Sequence, residues 1–160
     1  MAKLASVVIS QLICTTALIV LIIILPVYYS NIQDNIRVNV MKIELKEIAD
    51  YVSSTLSNTY FLVNSTNCPN VTLTKTLVYL PKTVENSFFV VQIDKDGAAA
   101  ASVTVYIKDR PGVYSTAWLS PGLKCGNVNP VESGKGAVAA GCYRPSNNTG
   151  VYVQLGYEVT

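Results

Sequence analysis

The sequence predicts an α+β fold in which a long N-terminal helix precedes an antiparallel, sandwich-like β-domain. Three observations lead to this prediction. Residues 4–33 contain no charged side chain, the following segment has helical periodicity, and the chain from residue 64 onward consists of short runs rich in Val, Thr, Tyr and Phe. A chain of 160 residues accommodates one globular domain and an appendage, because a single core takes roughly 100 to 150 residues.

The composition argues against several classes of function. The chain contains no histidine, which removes the commonest general base and metal ligand. Its 10 acidic residues are scattered singly, and its net charge of +2 includes no basic cluster, so neither a carboxylate pair nor a nucleic-acid footprint is visible. We therefore predict a protein that is not an enzyme and that binds no cofactor, metal or nucleic acid.

The first segment, residues 1–33, is predicted to be a hydrophobic helix. Between Val7 and Tyr29 it is interrupted only by uncharged polar residues and Pro26, and a membrane-spanning helix needs about 20 apolar residues. A cleavable secretory signal has a shorter apolar region and ends in small residues, whereas this one ends in Tyr28 and Tyr29, which suit a membrane interface. We expect the helix to be retained and to bend near Pro26.

An apolar helix needs lipid or other helices around it, so this segment is also the predicted assembly surface. Gln11 supports close helix contact, because a buried amide needs a hydrogen-bond partner. The residues predicted to form the surface are Val7, Gln11, Leu18, Leu21, Ile23, Leu25 and Pro26.

The second segment, residues 34–62, is predicted to continue the same helix in amphipathic form. Its apolar residues recur at spacings of three and four, which is typical of one helical stripe. We expect the part from Ile43 to Leu56 to pack on the sheet of its own domain. The residues assigned to the stripe are Ile32, Ile36, Val40, Met41, Ile43, Leu45, Ile48, Val52 and Leu56.

The third segment, residues 63–160, is predicted to form six or seven antiparallel strands separated by turn sequences. Asp94–Gly97 reads as a hairpin turn, since the calcium-loop pattern requires a Glu at a position that Val105 occupies. We interpret Trp118 and four tyrosines as core or sheet-face packing rather than as a carbohydrate platform. The predicted strands lie within residues 71–80, 87–93, 101–107, 113–119, 137–143 and 151–159.

Sequons and cysteines place this third segment outside the cell. Asn64, Asn70 and Asn147 begin N-glycosylation sequons in polar, turn-like settings, and three cysteines there suit an oxidising exterior. A Cys125–Cys142 disulfide is favoured because it joins neighbouring elements, and a bridge involving Cys68 is the alternative. Cys14, within the apolar run, reads as a small packing residue.

The order of these features resembles the archaeal type IV pilin superfamily, whose precursors carry a class III signal. The resemblance rests on Lys3, the charge-free "LASVVISQLICTTALIVLIIILPVYY", its amphipathic continuation and the sequon-bearing β-domain. The phrases "IADYVSSTLSNTYFLVNS" and "LVYLPKTVENSFFVVQI" also resemble segments of archaeal secreted, pilin-like proteins. The chain departs from the family at "AKLA", where Leu4 stands in place of a small residue. It also lacks the acidic residue that many bacterial relatives carry near the mature N-terminus.

The resemblance implies that the apolar helix leaves the membrane and packs with copies of itself in a filament core. The β-domains would form an outer, often glycosylated sheath that serves adhesion or contact with an S-layer or host surface. Two alternatives share this construction. One is a membrane-anchored module that binds the S-layer or envelope, like the stator subunits of the archaeal rotary filament, and the other is an archaeal viral envelope protein.

Overall fold

The computed structural model describes residues 2–66, 68, 70–146 and 150–158, with side chains from Ile9 onward except at residue 127. It confirms the predicted α+β fold, because one long helix is followed by a mostly antiparallel sheet, which has eight strands in the described ranges. The elements are α1 (Ala2–Ser65), β1 (Val71–Thr76), β2 (Phe89–Asp96), β3 (Ala99–Ile107), β4 (Arg110–Trp118), β5 (Leu123–Val128), β6 (Val131–Glu132), β7 (Val138–Arg144) and β8 (Val151–Tyr157).

The chain forms two compact units, Met1–Asn39 and Val40–Thr160. Helix α1 contributes to both and remains helical through Pro26. It therefore joins the predicted segments 1–33 and 34–62 as one element, as the sequence indicated, and ends within the first residues of the predicted segment 63–160.

All the described strands belong to one sheet, in the order β1-β7-β8-β5-β3-β2-β6, with β4 also paired to β3. Every pairing is antiparallel except that of β5 with β8. Parallel neighbours need a long connection, and here that connection contains β6 and β7 instead of a crossover helix. The predicted antiparallel pairing is wrong at this pair, and β5 and β6 lie outside the predicted strand ranges.

The core of the second unit lies between α1 and one face of the sheet. On the helix, Leu45, Val52 and Leu56 have no exposed surface, and full burial of each such side chain contributes about 1.5–3 kcal/mol. The helix crosses β7, where the Cys142 thiol lies 3.4 Å from the Thr59 hydroxyl. The predicted contact of the amphipathic segment with its own sheet is thus present.

The single apolar stripe predicted for α1 is in fact two surfaces. Met41, Leu45 and the residues that follow them at helical spacing are buried, whereas Ile36 is 57% and Ile43 is 62% exposed. At about 100° per residue, Ile43 lies roughly 200° around the helix from Met41. The assignment of Ile43 to the sheet-facing stripe was therefore wrong.

Side chains of α1 cover the free edge of β4. Lys46 Nζ donates to the Thr116 carbonyl at 2.8 Å, and Ser53 Oγ donates to the Trp118 carbonyl at 2.6 Å. Successive residues of β4 direct their backbone groups alternately to the outer edge and to β3. The Thr116 and Trp118 carbonyls lie at the outer edge, whereas Leu119 N faces β3 and donates to Ala101 O. Unpaired edge strands invite pairing with other chains, so these two contacts protect the sheet as well as fixing the helix on it.

Arg144 in β7 secures the C-terminal end of α1. Its guanidinium donates to the Thr66 carbonyl at 2.9 Å and to the carbonyl and side-chain oxygen of Asn64 at 3.4 and 3.3 Å. The last turn of α1 contains no basic residue, although a cation is favourable at the negative end of a helix. The sheet therefore supplies the charge that the helix lacks.

We expect Arg144→Ala to lower the free energy of unfolding by about 1.5–3 kcal/mol, the usual contribution of hydrogen bonds to a charged group. Denaturant unfolding of the full chain in micelles, followed by circular dichroism, measures the change. Arg110→Ala is the control, because Arg110 is exposed and its loss should cost under about 0.5 kcal/mol. Equal effects of the two substitutions would contradict the capping role.

Candidate assembly interface

The helical segment from Ile9 to Tyr29 presents apolar side chains on every side. Between Leu18 and Leu25 all eight residues are apolar, and consecutive residues at about 100° intervals surround the helix. The large apolar side chains from Ile9 to Tyr29 are 43 to 66% exposed. Contiguous apolar surface of this kind marks a protein or membrane interaction site.

The two threonines of this segment are hydrogen-bonded to the helix itself. Thr15 Oγ1 lies 3.0 Å from the carbonyls of Gln11 and Leu12, and Thr16 Oγ1 donates to the Leu12 carbonyl at 2.7 Å. In lipid or among other helices, a hydroxyl without a partner would be costly. These bonds make the threonines compatible with an environment that excludes water.

Small residues create a shallow groove near the beginning of the described side chains. Ser10, Cys14 and Ala17 lie at its base, with Ile9 and Ile13 beside them. Small residues let helix backbones approach closely in apolar surroundings. The groove is thus a place where a neighbouring helix can pack. Cys14 is exposed in it, and its role as a small packing residue stays a prediction.

The predicted assembly residues with described side chains are all exposed on α1. They are Gln11, Leu18, Leu21, Ile23, Leu25 and Pro26, whereas the side chain of Val7 lies outside the described part. Gln11, Leu18 and Leu25 are spaced by seven, which aligns them along one side of the helix to within about 20° per heptad. The polar Gln11 therefore shares a line with leucines.

Among the described residues, one helix is long and apolar enough to cross a membrane, judged by its length and composition. None of its most apolar stretch is buried within the chain. The coarse prediction of a helix suited to membrane insertion is consistent with this result.

The predicted glycosylation residues occupy different settings. Asn64 is exposed but lies in the last turn of α1 instead of in a loop, and its side-chain oxygen accepts a hydrogen bond from Arg144 at 3.3 Å. Asn70 is exposed before β1, with a left-handed φ of 61°. Asn147 lies outside the described residues. Glycosylation at these sequons stays a prediction.

The predicted Cys125–Cys142 disulfide is wrong, because both residues are free thiols, as are Cys14 and Cys68. Cys125 in β5 and Cys142 in β7 are both register partners of Val153 in β8. Two strand spacings of about 4.8 Å separate their backbones by about 10 Å, whereas a disulfide requires Cα atoms within about 7 Å. Neighbouring positions along the chain had suggested a contact that the intervening strand prevents.

Contacts within the second unit shift the pKa values of two side chains. Burial raises the pKa of the Cys142 thiol, and the hydrogen bond with Thr59 opposes the shift. Hydrogen bonds from Lys108 and Lys135 lower the pKa of Glu132, whose carboxylate lies 2.6 and 2.8 Å from their ammonium groups. In the described ranges, no group of three or more His, Cys, Asp or Glu side chains is arranged to hold a metal ion.

The interpretation of Trp118 as a packing residue is wrong, since its side chain is 80% exposed. Tyr114 is 55% exposed on the same strand. A strand pattern shows which residues share a face, but it does not show which face the helix covers.

Comparison with known proteins returned no match: no family model matches the chain, and neither a curated protein nor a solved structure is significantly similar to it.

We expect native-state alkylation to modify the exposed Cys68 and to leave the buried Cys142 unmodified, because the reagent needs access and a thiolate. Peptide mapping by mass spectrometry measures both.

Folding raises the pKa of Cys142, so its contribution to stability is fully present below about pH 8.5, the ordinary thiol value. That contribution is lost as the pH rises through the folded-state pKa. A cross-linked Cys125–Cys142 peptide would contradict the register.

Proposed function

We propose that the protein is a structural subunit of an extracellular type IV pilus-like filament. In this filament the apolar halves of α1 pack together in the core, and the β-domains lie outside and serve adhesion or surface contact. The observation that carries the proposal is the uncovered apolar surface of residues 9–29, attached to a unit that has a hydrophobic core of its own.

The physical argument concerns what can cover that surface. Water cannot solvate eight consecutive large apolar residues without a large free-energy cost. Lipid covers them in the precursor, and sister helices can replace lipid, since close packing of helices substitutes for contact with hydrocarbon. Contacts that join unlike surfaces of successive subunits do not close and therefore generate a helical polymer.

Two features of the helix favour sister helices as the final environment. The groove at Ser10, Cys14 and Ala17 admits a neighbouring backbone, and such grooves are enriched where helices pack. Gln11 stands on the same side of the helix as Leu18 and Leu25, and its amide requires a hydrogen-bond partner that hydrocarbon does not offer.

A second candidate function is a permanently membrane-anchored module whose β-domain binds an S-layer or another envelope component. The length and composition of α1 suit a single span. Tyr28 and Tyr29, 63 and 62% exposed at the end of the apolar segment, suit the membrane interface. In this alternative the helix never leaves lipid.

We expect Leu21→Lys to abolish fibres in material sheared from cells, because a lysine near the centre of an apolar helix costs about 2.5–3.5 kcal/mol in lipid and has no partner among sister helices. Electron microscopy of the sheared, detergent-free supernatant measures the result. Val78→Lys is the control, since Val78 is 76% exposed in the β-domain and should leave fibres intact.

The same preparation separates the two candidates. The filament proposal requires wild-type protein in the sheared supernatant as high-mass fibres. Wild-type protein that remains in the membrane fraction until detergent is added would refute it and support the anchored module. Normal fibres from Leu21→Lys, with Trp118 fluorescence unchanged, would show that the apolar surface is not at an interface.

We expect Asn64→Gln and Asn70→Gln each to lower the intact mass of the native protein by one glycan, because both side chains are exposed on the proposed outer domain. Mass spectrometry of protein from the native cells measures this. Gln keeps the amide and removes the sequon. Mass changes equal to the substitutions alone would remove the glycosylated sheath from the proposal.

A further inference from the structure

The outward face of β2, β3 and β4 carries aromatic and polar side chains in ordered rows. On the opposite face Val91, Val103 and Val105 are buried at 1, 0 and 0% exposure, so the alternate residues point away from the core. Read across the three strands by register, the outward rows are Val90, Tyr106 and Tyr114; Gln92, Thr104 and Thr116; and Asp94, Ser102 and Trp118.

Two exposed rings lie along β4 at the outer end of these rows. Trp118 is 80% and Tyr114 is 55% exposed. They are four residues apart on one strand and one face, which corresponds to about 13 Å. A ligand that contacts both rings must therefore be extended and must present more than one flat apolar surface.

A fixed carboxylate lies on the same face as the rings, in the row of Trp118. Asp94 accepts hydrogen bonds from Gln92 Nε2 at 3.2 Å, from Ser102 Oγ at 3.3 Å and from the Thr104 hydroxyl. A carboxylate has about four acceptor sites, so three bonds orient it and leave it capacity for another donor. The face thus places a strong acceptor in the row of Trp118, two strand spacings or about 10 Å away.

The chemistry of the face selects among partners. The rows contain no Lys or Arg, and Asp94 repels phosphates, so a polyanion does not fit. The aliphatic side chain in the rows, Val90, is only 8% exposed, which leaves little for an aliphatic protein surface. An added peptide strand is also excluded at β4, because Lys46 and Ser53 occupy the carbonyls of its edge.

We infer that this outward face, comprising Trp118, Tyr114, Thr116, Thr104 and Asp94, is a binding platform for a neutral oligosaccharide chain. Trp118 and Tyr114 stack on the apolar faces of two non-adjacent pyranose rings of one chain, since aromatic rings offer large flat contact surfaces at low entropic cost. Asp94 accepts hydrogen bonds from sugar hydroxyl groups, the Thr116 hydroxyl donates or accepts, and the Thr104 hydroxyl, which donates to Asp94, accepts. The inference does not depend on filament formation, because all five residues belong to the β-domain.

The chain itself supplies the reporter for a direct test, since Trp118 is its only tryptophan. The full chain is titrated in dodecylphosphocholine micelles, which lack the sugar head group that would compete. The probes are hexasaccharides of β-1,4-linked glucose, α-1,4-linked glucose and β-1,4-linked N-acetylglucosamine. We expect at least one probe to change Trp118 fluorescence saturably and to give a matching calorimetric Kd.

Variants tested by calorimetry assign the binding to the platform. Trp118→Ala and Tyr114→Ala should each weaken it about tenfold or more, and Trp118→Tyr should restore part of the loss by returning a ring. Tyr79→Ala is the matched control, because Tyr79 is 84% exposed but lies outside the rows. It should bind like the wild type.

Three results would overturn the inference. The first is the absence of any saturable response to all three hexasaccharides. The second is wild-type affinity in both Trp118→Ala and Tyr114→Ala. The third is a loss of oligomers in Trp118→Ala without an effect on sugar binding, which would identify the face as a contact between copies of the chain. Fibre formation by the sugar-binding variants, measured separately, distinguishes failure of this inference from failure of the filament proposal.

Discussion

The burial of one stripe of α1 against the sheet is the interaction on which the second unit depends. Leu45, Val52 and Leu56 on the helix are fully covered, and the inward-facing valines of β2 and β3 are buried as well. An isolated sheet with one bare apolar face would not be stable in water. The edge contacts of Lys46 and Ser53 and the cap supplied by Arg144 then fix the position of a helix that the core already requires.

Patterns local to the chain were sufficient to predict α1, six of the strands and much of the core, but they missed β5 and β6. Spacings of three and four identify Leu45, Val52 and Leu56 because helical geometry alone places them on one side. The same reasoning failed at Ile43, where an apolar residue was assigned to the stripe by composition although its angle around the helix opposes Met41. The exposed and buried apolar residues of this helix are of the same types, and they differ in their angular position around the helix axis.

Pairing between strands was beyond the reach of local patterns. Cys125 and Cys142 lie on either side of β8 because β5 joins β8 in parallel and β7 joins it antiparallel, and neither pairing has a signature in the sequence. The exposure of Trp118 has the same origin. Trp118 and Leu119 are adjacent apolar residues on alternate faces, and only the side on which α1 packs decides which one is buried. The sheet topology therefore had to be known before the aromatic face was recognisable.

The apolar segment of α1 and the core of the β-domain are formed by different residues, which matters for any function that moves α1 between environments. The buried side chains of the core lie between Met41 and Leu155, so the β-domain draws its hydrophobic stabilisation from residues beyond the apolar segment. Exchange of lipid for sister helices around residues 9–29 changes the surroundings of side chains that contribute nothing to that core. The domain can therefore keep one fold, and one outward aromatic face, on either side of such an exchange.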